Sequence, residues 1–464
     1  MNNKINFSGN FIILGFGSVA SSLMPLLFKH FNLSPSKITV ISGDNRNEKI
    51  AKEFGLTINV TPLNSENYQE IINKFVKKGD FLINLSVDVS SVELIKLCAK
   101  IEALYFDTCI EPWQGFYTNE NLSPEARSNF SLRNEVLNLR ATFQKNGTTA
   151  VVAHGMNPGM VSHFVKAALV QMAKDKNIFT EIPQSKEEWG RLCEALEVKV
   201  IQIAEHDTQI SSIPKKQNEF VNTWSVDGFI SEGSQPAEMG WGSHEKELPK
   251  DGVRHSENAP SIILKTPGIR TKVKSWTPIS GTCEAFVITH NEAVSISDYF
   301  STKEGYRPTC YYAYHPCNDA VVSIHEFSGR NYIKQESDRI LTNEIISGAD
   351  ELGVLLMGGE KSYWFGSLLE IHEARELCSH NTATSLQITS GVLSGIIWAV
   401  NNPNAGIVEA EDMDFEAVIE TAKPYLGKMI GIYTDFTPLK NRQKLFEEDL
   451  DTVDPFQFKN FRVS

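Results

Sequence analysis

The sequence predicts an α/β chain, with a doubly wound parallel sheet at the N-terminus and a second α+β domain built on a mainly antiparallel sheet. Three observations predict it. Residues 11–14, Phe-Ile-Ile-Leu, pass directly into Gly15-x-Gly17-x-x-Ala20, and a helical pattern of Val19, Leu23, Leu26 and Leu27 follows. Short apolar runs then alternate with amphipathic stretches to about residue 150, as crossover-connected parallel strands do. Beyond about residue 170 strand-like runs are separated by long polar segments, which suits an antiparallel sheet. At 464 residues the chain exceeds one ordinary core, so two domains are expected.

The first element is the strand, glycine turn and helix of a dinucleotide-binding unit, and the N-terminus reads as a Rossmann domain. Gly15 permits a tight turn, Gly17 lets the backbone approach a pyrophosphate, and Ala20 is small enough for helix to pack on strand. The N–H groups at the start of the helix, from Ser18 and Val19, would face the phosphates. A second run, residues 38–41, leads to Asp44, placed about where an acid would meet a ribose 2′-OH. That favours NAD over NADP. A third strand, residues 81–86, follows at the spacing of another βα unit, and residues 103–108 read as a further strand. Ligands bind at the carboxyl ends of strands in open α/β sheets, so Ser86, Asp88 and Glu111 point to the cofactor crevice. Residues 132–143 read as a helix and 149–154 as a strand, closed by a loop that places His154 and Asn157 over the same crevice.

In the second domain, strands are expected at 198–204, 219–224, 261–264, 284–289 and 320–324. Glu205 and Asp207 end one of these, Trp224 another, and His290 a third, while Glu232 lies in a Gly- and Ser-containing loop. Runs at 353–357 and 362–367 read as strands, and 384–401 as an apolar helix that returns to the Rossmann sheet. The expected divisions are therefore 1–155 for the NAD-binding domain, 156–380 for the substrate domain, and 381–464 for a C-terminal helical segment.

Composition narrows the function. A hydrophobic share of 41% and a charged share of 22% are those of a globular protein without a membrane span. The first six residues lead into a strand and carry no apolar signal-peptide core. Seven scattered cysteines without CxxC pairs suit a reducing cytoplasm, and a net charge of −13 argues against nucleic acid as a partner. The histidines have no HExxH or other ligand spacing, so no metal is expected. No GxSxG or P-loop is present, and hydride chemistry is left as the supported class. The acids Glu205, Asp207, Asp227 and Glu232, with Trp224, could hold a cation if they converge, through charge-assisted hydrogen bonds and a cation–π face. Spacing does not show convergence; taken singly, each acid reads as a solvated surface residue and Trp224 as a core residue.

Six motifs occur in order: Gly15-Phe-Gly-Ser-Val-Ala20, Ile110-Glu-Pro-Trp113, Ala153-His-Gly-Met-Asn-Pro-Gly159, Ala204-Glu-His-Asp-Thr-Gln209, Asn222-Thr-Trp-Ser225 and Ile288-Thr-His-Asn-Glu-Ala293. Together they resemble the bacterial homospermidine synthases, a family of the saccharopine dehydrogenase-like group, over nearly the whole chain. The resemblance implies an NAD-dependent enzyme, a homodimer, that oxidises putrescine to an imine with loss of ammonia. It then passes the aminobutyl group to a second putrescine and returns the hydride, giving sym-homospermidine, with spermidine as an alternative donor. It also implies Asn157, Glu205, Glu232 and His290 as polar active-site groups, Trp224 as the indole facing the cation, and Glu111 as a carboxylate on the entrance route. The alternatives are a saccharopine or carboxynorspermidine-type dehydrogenase, and a non-catalytic NAD-binding polyamine sensor. An all-amine substrate suits the acids and indole better than a dicarboxylate, which would want arginines.

Overall fold

The computed structural model describes residues 4–143, 147–178, 181–256, 259–442 and 447–463. They divide into two compact units, Met1–Met160 with His372–Leu426, and Val161–Ile371 with Gly427–Ser464.

The first unit is built on a seven-stranded parallel sheet. Its order is Ile407–Val408, Ala150–Val151, Leu104–Asp107, Phe81–Asn84, Phe11–Leu14, Ile38–Ser42 and Ile58–Val60. The central strands Phe11–Leu14, Phe81–Asn84 and Leu104–Asp107 are buried at every position, as expected when helices cover both faces of a parallel sheet. The strand order reverses at Phe11–Leu14, which places the first glycine loop at the topological switch point. The helix Ala383–Asn401 packs on Ser18–His30. It also lies against the turn that follows Ala150–Val151, where a Cβ on Gly391 would be 2.1 Å from the Gly155 carbonyl oxygen. This helix is long and apolar enough to cross a bilayer by composition, but most of it is buried in the unit.

The second unit carries an eleven-stranded mixed sheet. Val200–Asp207 pairs in parallel with Thr309–His315 and antiparallel with Ala349–Met357. Thr309–His315 also pairs antiparallel with Gly281–Ile288. One face of this sheet packs Val200, Ala204, Tyr311 and Trp364 against Phe456, Phe458 and Phe461 from the C-terminal stretch. Alternation along the strand puts Ile201, Ile203, Glu205 and Asp207 on the other face. That face is therefore apolar along the strand and acidic at its carboxyl end.

The structure corrects the sequence reading in three places. Residues 320–324 lie in the helix Asn318–Gly329, and Glu232 lies in the helix Val226–Ser234 rather than in a loop. The stretch 381–464 does not act as one piece. Its first part supplies the helix Ala383–Asn401 and the edge strand Ile407–Val408 to the first unit. Lys428–Thr434 and Arg462–Val463 instead pair with Ser362–Glu370 and Lys272–Thr277 in the second.

Candidate active site

In the first unit the glycine loop is shaped for a close ligand. Gly15 has φ +80°, and a Cβ there would lie 2.8 Å from the Leu85 carbonyl oxygen, so both conformation and space demand glycine. Gly17 differs. It has φ −80°, and a Cβ there would meet nothing within 4 Å. This is open space at the start of the helix Ser18–His30, where a pyrophosphate would sit. No side chain caps that helix and no acid occupies its first turn, so its leading N–H groups suit an anion. Ala20 is buried and serves the packing of helix on sheet.

A cleft of about 560 Å³ beside the loop is lined by Gly15, Asp44, Ser86, Asp88 and Trp113, among others. The Arg46 guanidinium lies 2.9 Å from Asp44 and holds its carboxyl below the usual carboxylate range, so Asp44 presents a charge to this cleft. Asp88 has φ +62°, and partial burial raises its carboxyl above the usual range. Its backbone N–H donates to Glu111 Oε2 at 3.3 Å, and the Cys109 thiol donates to Glu111 Oε1 at 3.1 Å. The structure thus brings two of the sequence-predicted acids, Asp88 and Glu111, side by side. The residues are those a dinucleotide would need: an open glycine loop, a bare helix start and an acid for the ribose.

His154 is a correction. It is fully buried, and burial pushes its imidazole down to about 4, so it is a neutral core residue rather than a crevice group. A Cβ on Gly395 would lie 2.8 Å from its Nδ1. Asn157 is half-buried in the turn that follows, closed by the Gly155 N–H donating to the Pro158 carbonyl at 2.6 Å.

In the second unit the acidic end of Val200–Asp207 meets the ends of two helices. His290 immediately precedes the helix Asn291–Tyr299, and its imidazole lies between two carboxylates. Nε2 is 2.9 Å from Glu232 Oε2, and Nδ1 is 3.2 Å from Glu292 Oε1. Burial opposes a charge on this ring, but the carboxylates of Glu292 and Glu232 outweigh it and raise His290 well above its ordinary value. This arrangement favours an imidazolium at His290, with each ring nitrogen facing a carboxylate. Glu292 belongs to this constellation although the sequence reading did not single it out. Its signal was present in His290-Asn291-Glu292, an acid in the first turn of a helix, where the helix dipole favours it.

Glu205 is buried and accepts from the Tyr312 hydroxyl at 2.5 Å. Aromatic rings continue from there. Tyr312 lies 4.6 Å from the His290 ring and 5.4 Å from Tyr314, Tyr314 lies 5.6 Å from Phe229, and Phe229 lies 5.7 Å from Trp224. Trp224 is half-buried beside Ser225, which caps the helix Val226–Ser234. Gly228 leaves room for the indole, since a Cβ there would come within 3.1 Å of it. Asp207 accepts from the Gln209 backbone and amide and from the Thr223 hydroxyl at 2.6 Å, and so ties down the residue before Trp224. Asp227 stands apart, exposed and paired with Lys334 at 2.6 Å. Of the five groups named from the sequence, Glu205, Asp207, Trp224 and Glu232 belong to the acidic, aromatic face. Among the described residues no group of three or more His, Cys, Asp or Glu is arranged to hold a metal.

A dinucleotide-type cleft in one unit and an acidic, aromatic face in the other define a two-domain dehydrogenase-like protein for a cationic substrate. Residues 11–151 match the saccharopine dehydrogenase NADP binding domain, and residues 155–433 match the saccharopine dehydrogenase C-terminal domain. Homospermidine synthase from Blastochloris viridis is 48% identical over 98% of this chain and 97% of its own. That from Mesorhizobium japonicum is 45% identical over 98% and 96%. The crystal structure of the homospermidine synthase from Legionella pneumophila, in complex with NAD, has a TM-score of 0.93 at 45% identity and covers 99% of each chain. The chain belongs to the homospermidine synthase family of the saccharopine dehydrogenase group.

Proposed function

We propose that this protein is an NAD-dependent homospermidine synthase acting on putrescine. One putrescine loses a hydride from the carbon next to its terminal nitrogen and becomes an imine. The primary amine of a second putrescine adds to that carbon and ammonia leaves. Hydride returned to the new imine gives sym-homospermidine. Bound NAD supplies the hydride acceptor and donor, and is not consumed overall.

The observation that carries this reading is the acidic, aromatic face of the second unit, in a chain 45–48% identical to homospermidine synthases over nearly its whole length. Putrescine carries two ammonium groups at neutral pH, because alkyl amines resemble lysine with a pKa of about 10. Hydride leaves carbon only when the adjacent nitrogen is neutral, so one end must lose a proton while the other stays anchored. Glu205 anchors an ammonium. Glu232, the more exposed of the two carboxylates flanking His290, accepts the proton. The imidazolium of His290 hydrogen-bonds Glu232 and holds its oxygen in place. The face of Trp224 receives the cationic nitrogen, a contact worth about 0.5–2 kcal/mol depending on desolvation. Asn157 takes its role as a polar active-site group from the family's pattern. Glu111 and Asp88 supply negative charge at the entrance to the cleft of the first unit. Asp44 supports NAD over NADP, because a carboxylate there accepts from a ribose hydroxyl and repels a 2′-phosphate. A dicarboxylate substrate would find Glu205, Glu232 and Glu292 where it needs arginines.

We also propose a homodimer working in the cytoplasm on putrescine, with spermidine as an alternative donor. The family's pattern supports the dimer, and seven free thiols fit a reducing compartment. Incubation with putrescine and substoichiometric NAD tests the function. Homospermidine in excess of NAD is expected. Accumulation of NADH equal to the amine consumed would reject internal hydride return, and no amine product would reject the activity.

A further inference from the structure

Tyr312 has more built around its hydroxyl than core packing requires. Its strand lies between two others, with Tyr312 opposite Ile203 on one side and Ile288 on the other. The ring is buried, stacked on Tyr314 at 14° between planes, and set 4.6 Å from the His290 ring at 43°. Phenylalanine would fill the same volume. The hydroxyl donates to Glu205 Oε2 at 2.5 Å, the close approach of a hydroxyl to a carboxylate.

We propose that Tyr312 is a further positioning residue of this site: its phenol fixes the Glu205 carboxylate as the anion that receives a substrate ammonium, and its ring sets the orientation of the His290 imidazole. The inference rests on the proposed action on putrescine. It divides the labour between two acids that residue type alone does not distinguish. Glu205, held at Oε2 by a buried donor, is a rigid anchor. Glu232, more exposed and facing an imidazolium, is the group free to exchange a proton. Among the described residues, the other titratable groups of this cluster include Asp207 on the same strand as Glu205, Asp350 on the neighbouring strand, Tyr314, Cys317, and His290 with Glu232 and Glu292. An anchor held ionised against these acids needs a fixed donor, and Tyr312 provides one.

The test uses the full-length protein with NAD and putrescine, comparing wild type with Tyr312→Phe, Glu205→Gln and the double variant. Loss of one hydrogen bond to a charged group should raise the putrescine KM by about tenfold in Tyr312→Phe, with a smaller change in kcat and unaltered NAD affinity. The acid limb of kcat/KM should move to higher pH, because the donor that favours charged Glu205 is gone. In the Glu205→Gln background the second substitution should add less than about twofold, since both act on one interaction. A residue that only packs would lower kcat/KM evenly at all pH values, and its loss would multiply with that of Glu205→Gln. Either result overturns the proposal. Should Tyr312→Phe fold poorly, 3-fluorotyrosine placed at 312 gives the opposite sign: a stronger donor moves the acid limb to lower pH, and an unmoved limb counts against the role. Wild type that makes no homospermidine would overturn the function and this role together. Active wild type with an unaltered Tyr312→Phe would overturn the role of Tyr312 alone.

Discussion

His290 shows how burial and charge compete at a single residue. A buried imidazole with no carboxylate against it is disfavoured in its charged form, and burial pushes His154 down to about 4. His290 goes the other way because Glu292 and Glu232 lie within 3.2 Å on opposite sides of the ring. Its folded value is raised above the unfolded one. The stabilisation is therefore fully present below about pH 6.5 and is lost as pH rises through the folded value. Glu292→Gln removes the more buried of the two anions and keeps the shape. It should lower the His290 titration and, with it, the pH above which the ion cluster stops stabilising the protein. NMR of histidine-labelled protein reads this directly. An imidazole that titrates identically in wild type and Glu292→Gln would mean that Glu292 does not sustain the charge.

At the scale of elements, two glycines should respond to enlargement in opposite ways. Gly17 ends the turn ahead of the helix Ser18–His30, and a Cβ there points into open space. Gly17→Val should leave the melting temperature nearly unchanged and abolish NAD binding, because the added methyls occupy the pyrophosphate position. Gly391 sits within the helix Ala383–Asn401 against the Gly155 backbone. A Cβ 2.1 Å from a carbonyl oxygen cannot be relieved by turning a side chain, so the helix itself must shift. Gly391→Ala should cost about 1–3 kcal/mol, the range for overpacking. Thermal unfolding and calorimetric titration with NAD separate the two cases. Normal NAD affinity in folded Gly17→Val would reject the loop assignment, and an unshifted melting temperature for Gly391→Ala would reject the close packing.

Across the whole molecule, the first unit was the more legible in sequence because its central strands are buried at every position and read as short apolar runs, whereas the partly exposed edge strand Ile58–Val60 did not. The second unit hid more. The stretch Ala320-Val-Val-Ser-Ile324 looks like a strand because of its β-branched residues. Its buried positions, Ala320, Ser323, Ile324 and Phe327, follow the helical period instead. Tyr312 was hidden within an apolar strand, since only the fold shows that its hydroxyl meets Glu205. Net charge, by contrast, is legible at once and has its own consequence. A chain of net charge −13 attracts a dication over distances that salt screens, with a Debye length of about 8 Å at physiological ionic strength. Raising salt from about 0.01 to 0.3 M should therefore lower kcat/KM for putrescine while leaving kcat at saturation nearly unchanged, because only the encounter is slowed. Glu111 is half-buried and accepts from the backbone N–H of Asp88, which lines the cleft. Glu111→Gln should lower kcat/KM at low salt by less than Glu205→Gln does, and its salt slope should be flatter than wild type. Parallel salt slopes for the two would place Glu111 off the cation's route, and a loss independent of salt would make it a binding group rather than a guiding one.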